Sequence, residues 1–170
     1  MKIFDWPKKQ EIEDYNIKSF IKAYNNLTGI ELIIVDDNRE KPDFIYQDKK
    51  TSQKYGVEVT SVYSSDKSVR DQHKPLNEGK LGKYDVIIHP EKYFERVIKC
   101  INVKREKAQN YDQTNPLILS IYLGEYAFIS SEDLQKFYDD NVEFLSDISP
   151  YHEIMIMTDT KCCLITQTDQ

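Results

Sequence analysis

The chain has 170 residues, of which 39% are hydrophobic and 31% charged, and a formal net charge of −6. That length fits one domain, which can bury roughly two-thirds of the surface its unfolded chain exposes and needs no disulfide or metal to fold. The composition excludes a disordered chain, and no run approaches the ~18 apolar residues of a membrane helix. The acidic balance argues against a protein that simply coats nucleic acid.

The first residues, Met1 to Lys9, lack the apolar run of a signal peptide, so the chain reads as cytoplasmic, with no membrane partner. The three cysteines are Cys100, Cys162 and Cys163. The adjacent pair would point to opposite faces of a strand, so buried reduced thiols are expected rather than a disulfide or a zinc site. Charge is spread unevenly. Residues 67–107 hold eleven Lys and Arg against six Asp and Glu, whereas the remainder holds twelve against twenty-three. Such asymmetry suits an anionic ligand at one region and a cation at another, although a solvated helix and loop would also produce it.

In chain order, residues 10–28 read as a helix. Ile12, Tyr15, Phe20, Tyr24 and Leu27 fall roughly on one face, and Gly29 ends it. Residues 31–35 form a strand closed by a turn at 36–38, and Pro42 opens a second strand over 42–46. A polar hairpin loop over 48–54 leads to a third strand over 55–63, completing a meander. Residues 64–83 are polar and lysine-rich and predict a mobile loop or lid. A short strand over 85–89 precedes a helix that Pro90 starts and that runs to about Tyr111. Residues 116–123 are apolar nearly throughout, as befits a central strand buried on both faces. Ser130 caps a helix extending to about Leu145, and strands over 153–157 and 162–166 follow. The order α-β-β-β-α-β-α-β-β implies an α/β fold, α+β in sheet character, with a mixed sheet and helices on both faces.

Chemistry concentrates on the second and third strands. Asp43 follows Pro42, fourteen residues intervene, and Glu58-Val59-Thr60 comes next. Two carboxylates on neighbouring strands can converge on one divalent ion, and magnesium is satisfied by two carboxylates, a carbonyl and waters. Glu58 lies between two valines on an alternating strand. A carboxylate so placed is rarely buried unless paired or metal-bound. Asp43 as a turn residue and Glu58 as a salt-bridged inner-face residue are the plainer alternatives. On the 90–111 helix, Val97, Ile101, Lys104, Ala108 and Tyr111 recur at helical spacing, so Lys104 interrupts an apolar stripe. A lysine there either snorkels or meets a carboxylate.

With its flanking helices and strands, Lys-Pro-Asp-Phe followed by Gly-Val-Glu-Val-Thr resembles the PD-(D/E)XK nuclease superfamily over residues 10–123. The resemblance implies a single domain over 1–170: a restriction-endonuclease-like αβββαβ core (10–123) with a C-terminal αββ extension (124–170). It implies a nuclease hydrolysing phosphodiester bonds in DNA or RNA with Mg²⁺ or Mn²⁺. Asp43, Glu58 and the Val59 carbonyl would be the metal ligands, and Glu13 a further acidic candidate. The acids of the first helix are also what its N-terminal dipole alone would favour. Thr60 stands where the superfamily's usual lysine belongs. Some relatives supply that lysine from the following helix, which nominates Lys104 as the third catalytic residue, with Lys107 the next candidate. Lys67, Arg70, Lys74 and Lys80 would contact the nucleic-acid backbone, and a homodimer would suit double-strand cutting. The alternative is a non-catalytic binding module with a protein partner: an immunity protein, inhibitor or assembly subunit. His73, His89 and His152 form no ligand spacing, no nucleotide loop or nucleophile elbow is present, and Tyr122, Tyr126, Tyr138 and Tyr151 read as core or rim packing rather than a base-stacking platform.

Overall fold

In a computed structural model, the described residues are 9–36, 41–63, 90–124 and 129–167. The expected loop over 64–83 and short strand over 85–89 lie outside them, as do Lys67, Arg70, Lys74 and Lys80. The elements are α1 (Lys9–Thr28), β1 (Leu32–Asp36), β2 (Phe44–Asp48), β3 (Lys54–Val62), α2 (Pro90–Ala108), β4 (Leu117–Leu123), α3 (Ser131–Asp140), α4 (Val142–Leu145), β5 (Tyr151–Met157) and β6 (Cys162–Thr166). The expected order holds. The helix anticipated over 130–145 is divided at Asn141 into α3 and α4, and α2 stops three residues short of Tyr111.

The strands form one six-stranded mixed sheet in the order β1-β2-β3-β4-β5-β6. The β1-β2-β3 meander is antiparallel, β3-β4 and β4-β5 are parallel, and β6 returns antiparallel to β5. The parallel steps require crossovers long enough to carry helices, which is where α2 and α3 sit in the chain.

Strand alternation divides the core in two. Leu117, Leu119, Ile121 and Leu123 of β4 pack with Tyr93, Val97 and Ile101 of α2 and with Leu134 and Phe137 of α3. Ile118 packs on the opposite face with Val57, Val59, Met155 and the α1 residues Ile17, Phe20 and Tyr24. Helices therefore cover both faces, and β4 is buried almost throughout, as its unbroken apolar run predicts. Gly29, at φ +73°, ends α1 in the left-handed conformation that glycine adopts without strain. A capping box between Ser130 and Asp133 starts α3. All three cysteines are free thiols as expected, but none is buried: Cys162 is exposed, and Cys100 and Cys163 are half-buried.

The sheet's two regions differ in burial. Leu119 is fully buried, whereas Ile34 on the edge strand β1 is 53% exposed. Truncating Leu119→Ala leaves a cavity and should cost about 2–5 kcal/mol in urea denaturation, while Ile34→Ser should stay within about 0.5 kcal/mol of wild type. Comparable losses at both positions would mean that β4 is not the centre of the core.

Candidate functional site

β3 has nine residues and β2 only five, and their pairing ends at Phe44 opposite Val57. Beyond that point β3 continues without its neighbour, and the two strands fork. The fork is fixed by close packing. Pro42 is buried, and a Cβ built on Gly56 would lie 2.7 Å from the Pro42 ring and 2.8 Å from Leu117. Only glycine allows that ring so close to β3, and the contact sets Asp43 at the mouth of the fork.

Asp43, expected on the second strand, lies just before β2, and the last pair of the ladder, Phe44 with Val57, brings it beside the Glu58 end of β3. Gly56 N–H donates to the Pro116 carbonyl on the β4 side, and Val59 N–H donates to Asp43 Oδ2 at 2.8 Å on the other. Odd-numbered residues of β3 thus turn their backbone groups toward Asp43, and the Val59 carbonyl leaves the strand on that edge. An unpaired edge N–H is thereby satisfied by a carboxylate, in a charge-assisted bond.

Glu58 is 4% exposed. Its Oε1 accepts from Lys104 Nζ at 2.5 Å and from the Tyr111 hydroxyl at 3.1 Å. Its Oε2 is buried with no hydrogen-bond partner. The lysine that interrupts the α2 stripe therefore meets a carboxylate. Val97, Ile101 and Ala108 of the same stripe are fully buried, and Tyr111, just past the helix end, completes the clasp. Thr60, on the same face as Glu58, is hydrogen-bonded with the Cys100 thiol one turn before Lys104, and burial pushes that thiol up from its ordinary value. Position 60 therefore faces α2.

Glu13, Asp43, Glu58, Val59, Thr60, Lys104 and Lys107 all line one cleft of about 560 Å³. Sequence reasoning missed other wall residues, among them Lys41, Asn16 and Ser61. Asn16 is 3% exposed and donates to Ser61 Oγ at 2.7 Å. Its signal was present. Ile12, Asn16 and Phe20 recur every four residues, so Asn16 interrupts the α1 stripe as Lys104 interrupts that of α2. His152 is exposed and lies away from the cleft, while His73 and His89 are outside the described residues.

Burial raises the Asp43 carboxyl to about 6, and the neighbouring Glu58 charge pushes the same way, against the Val59 N–H and Lys104. Glu13 adds negative charge at Asp43. Among the described residues, however, no group of three or more His, Cys, Asp or Glu side chains could hold a metal, so Glu13 completes no three-carboxylate cluster. A cation here would rest on Asp43, Glu58 and backbone. The donor set fits a hard divalent ion: Glu58 Oε2 is orphaned and buried, Asp43 lies beside the Glu58 end of β3, and the Val59 carbonyl leaves the same edge.

The chain matches no protein-family model, and no curated protein or solved structure is significantly similar to it. Among the described residues no helix is long and apolar enough to cross a membrane.

Two measurements test these electrostatics. An Asp43 carboxyl raised in the folded state is best tolerated when protonated. Its contribution is fully present below about pH 4, where both states are protonated, and is lost as pH rises through about 6. In chelator, Asp43→Asn should therefore melt above wild type at pH 7–8 and level with it near pH 4; the reverse trend would contradict the assignment. Removing one partner of the Lys104–Glu58 pair strands the other. Lys104 keeps 19% of its side-chain surface exposed, so Lys104→Met should cost at the lower end of the range for buried pairs, about 3 kcal/mol. Adding Glu58→Gln should recover most of that loss, whereas additive losses would mean the two groups are not coupled.

Proposed function

We propose that the cleft is the active site of a metal-dependent nuclease hydrolysing phosphodiester bonds in DNA or RNA. The observation that carries the reading is convergence: Asp43 just before β2, Glu58 on β3 and Lys104 on α2 line one cleft, and Glu58 Oε2 is buried without a hydrogen-bond partner. The order α1-β1-β2-β3-α2-β4 supports it as well, since it is the order the PD-(D/E)XK resemblance implies for a restriction-endonuclease-like core.

Each residue has a distinct task in this reading. Asp43, Glu58 and the Val59 carbonyl are the ligand set for Mg²⁺ or Mn²⁺. When bound, such an ion polarises a phosphodiester oxygen and lowers the pKa of coordinated water. Lys104 holds Glu58 in a fixed rotamer and presents an ammonium to the attacking water or the scissile phosphate. The attack forms a new P–O bond and breaks the bond to the leaving sugar oxygen. The lysine comes from α2 because position 60, a threonine, cannot supply it. Lys41 and Lys107 on the walls offset the acids and draw an anionic backbone in.

One observation favours a second reading, a non-catalytic binding module for a protein partner. Lys104 and Tyr111 already satisfy Glu58 Oε1, which a retained structural ion pair would also do. Calorimetric titration with Mn²⁺ at pH 8, beside Asp43→Ala, separates the two. The nuclease reading predicts binding in wild type that vanishes in the variant. It also predicts affinity that falls about tenfold per pH unit below pH 6, as protons compete for Asp43. Lys104→Ala should keep the metal yet lose about 100-fold or more in cleavage. Folded wild type that binds no Mn²⁺ at pH 8 would overturn the metal-dependent reading and favour the binding module.

A further inference from the structure

The wall of the cleft continues into a pair of pinned aromatic rings. The hydroxyls of Tyr15 on α1 and Tyr122 on β4 both donate to Asp159 Oδ1, at 2.7 and 2.6 Å. The rings meet edge to face, with centroids 5.8 Å apart at 90°. Tyr15 is 52% exposed and Tyr122 half-buried at the rim of the α1-side core. Two registers tie the pair to the cleft. Tyr122 is the β4 partner of Ser61, a cleft-lining residue, and Tyr15 precedes Asn16, which lines the cleft and bonds Ser61. The Tyr122 backbone therefore lies about one strand spacing, roughly 4.8 Å, from that of Ser61.

We propose that Tyr15 and Tyr122 form a stacking platform for an unpaired nucleobase, which makes single-stranded nucleic acid the substrate class; this rests on the reading of the cleft as a phosphodiester site. Charge sets the polarity of binding. In the cleft lining Lys41, Lys104 and Lys107 balance Glu13, Asp43 and Glu58 and can meet a phosphate, whereas Asp159, which accepts from both tyrosine hydroxyls, carries an unbalanced negative charge there that tolerates a neutral ring. A backbone seated over the lysines directs its neighbouring base toward the rings. Both rings are already held through their hydroxyls, so less side-chain freedom is lost when a base stacks on them. A duplex keeps its base faces inside its own stack, and only an unpaired base can offer one to a tyrosine. Tyr151 and Tyr138 pack in or against the core on the α2 side, so the platform is confined to Tyr15 and Tyr122 among the tyrosines considered within the described residues.

The test is fluorescence anisotropy with end-labelled ten-residue strands, in Ca²⁺ to hold off cleavage, on the full chain. One strand is oligothymidylate; the other is abasic, with equal length and charge. Wild type should bind the base-bearing strand about 10- to 100-fold tighter than the abasic one. Tyr15→Leu and Tyr122→Leu should abolish that preference while leaving abasic affinity unchanged, and Tyr15→Phe, which keeps the ring, should retain it. Tyr15 is mostly exposed, so its variants report even if Tyr122→Leu melts early. Equal binding of both strands by wild type, or a preference unchanged in the leucine variants, overturns the platform and leaves the phosphodiester reading standing. An equal loss for both strands in those variants also overturns it. Failure of wild type to bind either strand at low salt also overturns the platform, and the phosphodiester reading then stands or falls on the Mn²⁺ titration.

Discussion

Glu58 carries a carboxylate in a strand interior where only 4% of the residue meets solvent, and an unpaired charge so placed would cost several kcal/mol. Lys104 answers that constraint. It reaches across from α2, the Tyr111 hydroxyl joins it on the same oxygen, and the second oxygen is left without a hydrogen bond. Much of the surrounding structure follows from keeping this arrangement in register. α2 must lie across β3 with one turn of its apolar stripe broken, and its buried residues Val97, Ile101 and Ala108 fix that depth. Ion pairs of this kind are seldom the cheapest route to stability, since well-packed apolar residues of similar volume often do as well.

The second constraint is the fork between β2 and β3. A sheet whose strands matched in length would leave Val59 and Ser61 paired and would keep the α1 and α2 layers apart. Because β2 stops at Phe44 and Pro42 packs onto Gly56, Asp43 is brought to the edge of β3 and takes the hydrogen bond that a longer β2 would have made. The opening lets residues from both helical layers line one cleft: Glu13 and Asn16 from α1, Lys104 and Lys107 from α2. Burial and the charge of Glu58 then raise Asp43 to about 6. A cation would relieve both the repulsion between the carboxylates and the orphaned Oε2.

Much of this was legible in the residues. Strand alternation in 57–62 placed Glu58 and Thr60 on one face, and helical spacing on 97–111 placed Lys104 on the buried stripe; the structure joins those two faces. The unbroken apolar run of 117–123 marked the central strand. What could not be read was how α1 enters the site. Its acids suit a helix N-terminus as well as a cleft, and only the fork brings Glu13 and Asn16 near β3. The break at Asn141 was hidden as well, because the capping signal at Ser130 says where a helix starts and little about where it stops. The Tyr15–Asp159–Tyr122 contact joins residues up to 144 positions apart, a separation at which local pattern carries no information.

The most direct test of the central claim is a crystal structure of the protein soaked in Mn²⁺ at pH 8, read as an anomalous difference map. The account predicts a peak between Asp43 and Glu58, within about 2.0–2.3 Å of a carboxylate oxygen from each, with Lys104 still on the other oxygen of Glu58. A clean map there, with both side chains ordered and the Lys104–Glu58 pair intact, would contradict it and leave the pair as a structural ion pair alone.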